Sequence, residues 1–546
     1  MLRKLRFVLA AASCLVIAAP AFSSPRPCGN AGLRMLLPDR RPDRPGTSHE
    51  RSAFPKVGDH RDFWTYDLSV MPPDNVQIPS VCRAVGDHSA IWVADDQWGS
   101  KVTQDDVDKL LKALESDTPR TPGHGIVENN ESLFGSSPLY AQGDPDLTIL
   151  IYDIPDYQNY TFDGFFRAED MTPFNPQCAN NPSLYCSNEL GMVHVDSADA
   201  SSLYKQGVIA HEFEHLIHFG RDPYEENWLD ESLAELAMVY SGYHDDQNLA
   251  WYVAHPYTSL VKAPPVDYGA CLLFGAYLYQ RFGAAGVLQL TSSALTGIPS
   301  ISEFLPQGTS FSAFFGQWAM ANALDDPNLD SGEYGYDLVD VPQFAVVELD
   351  PPPIERDIQI TPTTAVYHTL APLPDADKYL EIDYSTQGAQ VSVLAAFPDA
   401  FLVQSVESGN PTQLPPPVLV NPGFVVASNA DTTSTAAVTL TLKTLLNNEL
   451  PDVIPDMIPE SIPDSTADSW PDSAPDVASP HDSMIQDAQT SSEPAASEGV
   501  IQGPDTTGAQ SGGGCSAATE GPSPSPMIPL LLLAILGAVT SVRKRT

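Results

Sequence analysis

The chain is 546 residues long, with 70 acidic against 27 basic residues and a formal net charge of −43. So large a negative excess opposes binding to nucleic acid or to an anionic membrane surface. The length allows two to four domains with ample buried core.

At the N-terminus, Arg3, Lys4 and Arg6 precede an apolar run over 7–19, and Ala21-Phe22-Ser23 offers small residues for cleavage. Residues 1–24 therefore read as a secretory signal. Residues 25–60 are rich in Pro, Arg and Gly and read as an irregular segment or a pro-segment. The stretch 80–94 alternates enough, at Ile91 and Val93, to predict a strand. A helix is predicted over 103–115, with Thr103 as its N-cap and Leu110, Leu111 and Leu114 on its apolar face. Residues 147–154 form a β-rich run. Helices follow over 203–219, 227–237, 268–282 and 311–324. The fold class implied is α+β: a strand-rich lobe, then a mainly helical one, with a cleft between them.

The most informative residues lie on the helix over 203–219: His211-Glu212-Phe213-Glu214-His215. Positions i and i+4 share a helix face about one turn apart, so His211 and His215 can grip one zinc ion. Glu212 then lies where its carboxylate can reach a water beside that ion. This is the HExxH arrangement of zinc peptidases. A catalytic zinc takes three protein ligands and keeps one position open. The third is sought in Asn227-Trp228-Leu229-Asp230-Glu231-Ser232-Leu233-Ala234-Glu235, where Glu231 and Glu235 share a face. That pair suits one ligand and one carboxylate that orients a ligand histidine. His218, one turn beyond His215, reads as a packed or hydrogen-bonded histidine, and Glu214 as a solvated helix residue. A metzincin pattern would need histidine at the position of Arg221. Asp222 or Asp230 as the third ligand lacks a supporting motif.

The HExxH run followed by Trp228-Leu229-Asp230-Glu231 resembles the gluzincin pattern. The runs 147–153, 187–196 and 207–211 are similar to hyicolysin-like secreted bacterial metallopeptidases, so the resemblance covers about residues 60–345. It implies a zincin-like catalytic domain over 61–345, with Glu231 as the third zinc ligand and Glu235 orienting His211. It implies hydrolysis of peptide bonds by water that Glu212 activates at the zinc. Fifteen residues separate His215 from Glu231, fewer than in the thermolysin-like branch, so the connecting loop is expected to be short and to turn at Gly220 and Pro223. Tyr268-Gly269 resembles the tyrosine-glycine helix start of some gluzincins. Tyr268 is thus the candidate donor to the oxyanion or, equally, an aromatic anchor of its helix. Tyr240, Tyr243 and His244 are alternative donors.

Beyond Pro351 the composition shifts to Val, Thr and Leu in short runs, which predicts an all-β sandwich over 350–445, as a spacer or an adhesion module. Residues 449–514 repeat Pro-Asp and Pro-Glu pairs with Ser and Ala, a composition that builds no packed core and extends as a stalk. Residues 515–546 carry Cys515, an apolar stretch of sixteen residues over 527–542, and a basic end. This tail is similar to myxobacterial C-terminal sorting signals. The resemblance implies an exported protein at the cell surface, in the outer membrane or released, touching the membrane through the tail. Cys178 and Cys186 are the expected disulfide, Cys28 with Cys82 the next, and Cys271 a buried thiol. Zn2+ is the one expected cofactor. Asp325, Asp326 and Asp330 are positions where a structural Ca2+ could sit, though none is predicted. The partners expected are protein or peptide substrates, acted on by a monomer. The alternatives are a non-catalytic zincin-like binding protein, an adhesin, or an aminopeptidase.

Overall fold

The computed structural model describes residues 53–446 apart from 71, 158–160, 182–183, 263–266, 371–377, 398–401 and 415–422. The expected secretory signal over 1–24, Cys28, the Pro/Asp-rich stretch and the tail around Cys515 lie outside the described residues. Those residues form a mixed α+β structure of eight α-helices and three sheets. No helix among them is long and apolar enough to cross a membrane.

The N-terminal sheet contains β1 (His60–Asp67), β2 (Asp74–Val85), β3 (Ser89–Ala94), β4 (Leu147–Tyr152), β5 (Gly164–Phe166) and β6 (Met192–Asp196), in the spatial order β1-β2-β3-β4-β6-β5. β3, β4 and β6 run parallel, and β5 closes one edge antiparallel to β6. Every residue of β3, β4 and β6 is buried. Strands covered on both faces read as near-continuous apolar runs, which is why these were conspicuous. The single strand expected over 80–94 is instead the end of β2, a turn and β3. The Gly86 N–H donates to the Ser89 carbonyl at 2.8 Å across that turn. Gly86-Asp87-His88 supplies the turn chemistry that alternation alone hid.

α1 (Gln104–Glu115) starts at Thr103 with a complete capping box to Asp106, and buries Val107, Leu110, Ala113 and Leu114. Such a cap contributes about 1 kcal/mol. After α2 (Ile126–Phe134) come α3 (Leu203–Arg221), α4 (Asn227–Ser241), α5 (Asp246–Ala254), α6 (Tyr268–Leu290), α7 (Ile298–Phe304) and α8 (Phe311–Leu324). Every residue of α3 from Lys205 to Phe219 is buried, so α3 has no solvent face there. Glu214 is therefore fully buried, which corrects its expected exposure. α3 also runs through Gly220 to Arg221. A Cβ at Gly220 would meet the Pro138 ring at 2.6 Å, so that glycine serves close packing and not the helix exit. α6 is broken at Gly283, where φ is 65°, and this break is the end expected at residue 282.

The C-terminal half holds β7 (Val347–Leu349), β8 (Ile354–Ile360), β9 (Thr364–Leu370), β10 (Lys378–Thr386), β11 (Val391–Phe397), β12 (Leu402–Val406), β13 (Thr412–Leu414), β14 (Gly423–Asn429) and β15 (Ala436–Leu446). They form sheets ordered β13-β10-β15-β8 and β12-β11-β14-β9-β7. Ile358, Ile382, Leu440 and Leu442 from the first sheet share one core with Val393, Phe397 and Val425 from the second. The outer face of the second sheet is not solvated. Ala365, Tyr367, Leu394, Ala396 and Val426 belong to the same apolar cluster as Phe311, Phe315 and Trp318 of α8. Asn322 donates to the Tyr367 hydroxyl at 3.3 Å, and the Tyr336 hydroxyl donates to Asn322. The change of composition near residue 350 is thus not a break in the packing.

Cys178 and Cys186 are disulfide-bonded. Among the described residues Cys82 is a buried free thiol, its Sγ facing the Ala84 carbonyl at 3.6 Å; the expected bridge to Cys28 involves a residue outside those described. Cys271 is free and buried, on α6.

Candidate metal centre

Two helices and one sheet edge build the centre. The 3.6-residue period of α3 puts His211 and His215 side by side, with ring centroids 4.8 Å apart. α4 packs along α3 and brings Glu231 to the same point. β5 approaches α3 closely because residue 164 is glycine: a Cβ there would meet Val208 at 2.8 Å and the His194 carbonyl at 2.9 Å. That approach lets the Phe166 N–H donate to Glu212 Oε2 at 2.9 Å. The Glu212 carboxylate is thereby fixed by backbone, a stiffer support than a side chain.

The Nε2 atoms of His211 and His215 are 3.2 Å apart, and Glu231 Oε2 lies 3.3 Å from the first and 3.6 Å from the second. Three donors each about 2.1 Å from a tetrahedral zinc would stand about 3.4 Å from one another, so the residues present fit that ion. All three side chains are at most 2% exposed. Both Glu231 oxygens are buried without a hydrogen-bond partner. An ionised carboxylate in that state costs several kcal/mol unless a cation meets it.

The other ring nitrogens face carboxylates. His211 Nδ1 lies 3.3 Å from Glu235 Oε1, and His215 Nδ1 lies 3.2 Å from Asp230 Oδ1. A proton on each Nδ1 leaves both Nε2 lone pairs turned inward, the tautomer that metal ligation requires. Burial would raise Glu231, but His215 and His211 outweigh it and hold its carboxyl at about 2. Burial pushes Glu235 up to about 7 against the pull of His211. Asp230 Oδ1 faces His215 Nδ1 as Glu235 Oε1 faces His211 Nδ1, while sharing that oxygen with His218 Nδ1 at 3.2 Å, a placement sequence reading had not given it. The signal was there in its place one residue before Glu231, but only the packing of α4 on α3 reveals which histidine it serves.

A narrow cleft opens beside the centre, lined in part by Asp163, Gly164, His211, Glu212, Glu235, Asp245 and Tyr268. The Tyr268 ring centroid is 6.4 Å from that of His211. None of the alternative donors lines the cleft. Tyr243 donates to Gln206 Oε1 at 3.1 Å, Tyr240 packs on Tyr279, and His244 is exposed. Asp222 caps the end of α3 and accepts from the Tyr224 N–H, away from the donors. The described residues hold two clusters able to take an ion, His211/His215/Glu231 and Glu214/His218/Asp230, and neither includes Asp325, Asp326 or Asp330. Asp163, Asp245 and Asn248 of the cleft wall were missed, because no local pattern links them to the motif. No protein-family model matches the chain, and no curated protein matches it.

Proposed function

We propose that the chain is an exported zinc-dependent endopeptidase of zincin type. The observation that carries this reading is the convergence of His211 Nε2, His215 Nε2 and Glu231 Oε2 to within 3.2–3.6 Å beside the Glu212 carboxylate. A zinc ion held by these three supplies Lewis acidity toward a carbonyl and makes water acidic near neutral pH. Glu212, held by the Phe166 N–H, takes the proton of the attacking water and hands it to the leaving amine. Tyr268, on the cleft wall, donates to the oxygen on which negative charge develops. Glu235 and Asp230 hold the two imidazoles in register. The secretory leader and the tail support export to the cell surface or beyond.

The test is a pair of measurements on the purified protein. Metal analysis should find zinc in both wild type and Glu212→Gln. Hydrolysis of an unfolded protein substrate should fall by about 10²- to 10⁴-fold in the variant. Full activity in Glu212→Gln would remove this residue from the chemistry. A metal-bearing wild type that cleaves nothing would favour a binding protein.

A further inference from the structure

The peptidase reading leaves Glu214 and His218 without a task. They lie one turn apart on α3, 0% and 1% exposed, beside Asp230 of α4 at 5%. His218 Nδ1 is 3.4 Å from Glu214 Oε1 and 3.2 Å from Asp230 Oδ1. One donor atom from each of the three lies within 4.8 Å of the others. Neither oxygen of Glu214 and neither ring nitrogen of His218 has a hydrogen-bond partner. Leaving a buried polar atom unsatisfied costs about 1–3 kcal/mol, more when it is charged.

Charge counting points the same way. Glu212, Glu214, Glu225, Asp230, Glu231 and Glu235 are six carboxylates, all buried, on or beside α3 and α4. Besides the histidines, the buried basic side chains among the described residues are Arg167 and Lys205. Arg167 is committed to Asp170 at 2.7 Å and Lys205 to Asp163 at 2.6 Å. One dication at the first centre offsets two of the six charges and an imidazolium at His218 a third, which still leaves acidic groups in excess in a low-dielectric interior.

We propose that Glu214, His218 and Asp230 form a second, structural cation site, closed to solvent, for a zinc-class divalent ion. One imidazole nitrogen with two carboxylate oxygens suits a borderline dication. Three protein donors are too few for calcium, which gathers six to eight oxygens. The two sites share a wall: Asp230 Oδ1 is 3.2 Å from both His215 Nδ1 and His218 Nδ1. A cation there ties α3 to α4 and anchors the carboxylate that orients His215. The inference shares Asp230 with the peptidase reading, as the support of His215, but its ligand set is distinct from His211, His215 and Glu231, so zinc counts in the variants separate the two.

The test is zinc stoichiometry by mass spectrometry on the full chain, loaded with zinc chloride and desalted. The wild type should hold two equivalents, and Glu214→Gln and His218→Phe one each. His211→Ala should also hold one. Dipicolinate should strip one equivalent from the wild type at once, and the second only on denaturation. A wild type that holds a single equivalent, kept by Glu214→Gln and lost by His211→Ala, overturns the proposal; His218 is then an imidazolium between two carboxylates. A single equivalent kept by His211→Ala and lost by Glu214→Gln sinks the first centre and leaves this one standing. No bound zinc at all sinks both. If a variant fails to fold, which circular dichroism reports, a wild-type count of two still supports the proposal, and a single equivalent that dipicolinate strips at once overturns it, whereas one released only on denaturation leaves it standing.

Discussion

Two regions of this molecule bury charge completely, and they handle it in opposite ways. In the N-terminal lobe, Asp170 accepts from Arg167 Nη2 at 2.7 Å, from Asn188 Nδ2 at 2.7 Å and from His194 Nε2 at 2.9 Å. The Arg167 guanidinium also donates to the Cys186 carbonyl and lies 4.8 Å from the centre of the Tyr66 ring. Thr65 Oγ1 faces His194 Nδ1 at 3.4 Å. Apart from Arg167 Nη1, these groups satisfy one another. On α3 and α4 the carboxylates outnumber the donors that face them, and neither Glu231 oxygen has a hydrogen-bond partner. The first region is a finished network that fastens β1, β6 and the loop carrying the Cys178–Cys186 disulfide. The second is complete only with something positive added. Buried charge by itself therefore identifies neither; the balance of donors and acceptors separates structure from site.

That contrast can be broken. Asp170→Asn should destabilise the fold by about 3–5 kcal/mol in denaturant titrations, because it leaves Arg167 buried without its counter-charge. It should leave the zinc content unchanged. A loss of zinc in that variant would mean that the two regions are not independent. The acid limb of stability sharpens the point. Burial would raise the Asp170 carboxyl, but Arg167 and His194 outweigh it and hold it below the usual carboxylate range. A lowered folded-state value contributes stability that is present above pH ~4 and lost as pH falls through the folded-state value. The gap in melting temperature between wild type and Asp170→Asn should therefore narrow as pH drops below ~4.

The metal side predicts a dependence that the network lacks. Zinc at 1,000 times its dissociation constant should stabilise the metal-free protein by about 4 kcal/mol at one site. Asp170→Asn should show the same increment and Glu231→Gln a reduced one, both read from the thermal shift on adding zinc. An equal shift in Glu231→Gln would exclude that carboxylate from the donor set. The smallest effect concerns orientation. Glu235→Ala should weaken zinc binding by about 10- to 100-fold in competition with a chromogenic chelator. Loss of all binding there, with Glu231→Ala unaffected, would exchange the roles of the two glutamates.

The C-terminal sheets carry a second lesson. A composition shift near residue 350 predicted a separate module. Yet a Cβ on Gly316 of α8 would meet Ser392 Oγ of β11 at 2.5 Å, so helix and sheet pack in direct contact. Low-resolution features of sequence mark a change in secondary structure, not whether two parts share a core.

By itself the sequence determined what the backbone period controls. It specified the helix that pairs His211 with His215, the following helix with Glu231 and Glu235 on one face, the Thr103 cap, and the apolar strands β4 and β6. These are local, and 3.6 or 2 residues per repeat suffices to read them. Only the tertiary structure decided which side chains lose their water. It buried Glu214 by surrounding α3 on all sides, turned Asp230 toward His215, brought the Phe166 N–H to Glu212 across Gly164, and made Asp163 and Asp245 walls of one cleft. Burial and the meeting of distant donors depend on the packing of whole elements, and no short window of sequence contains that information.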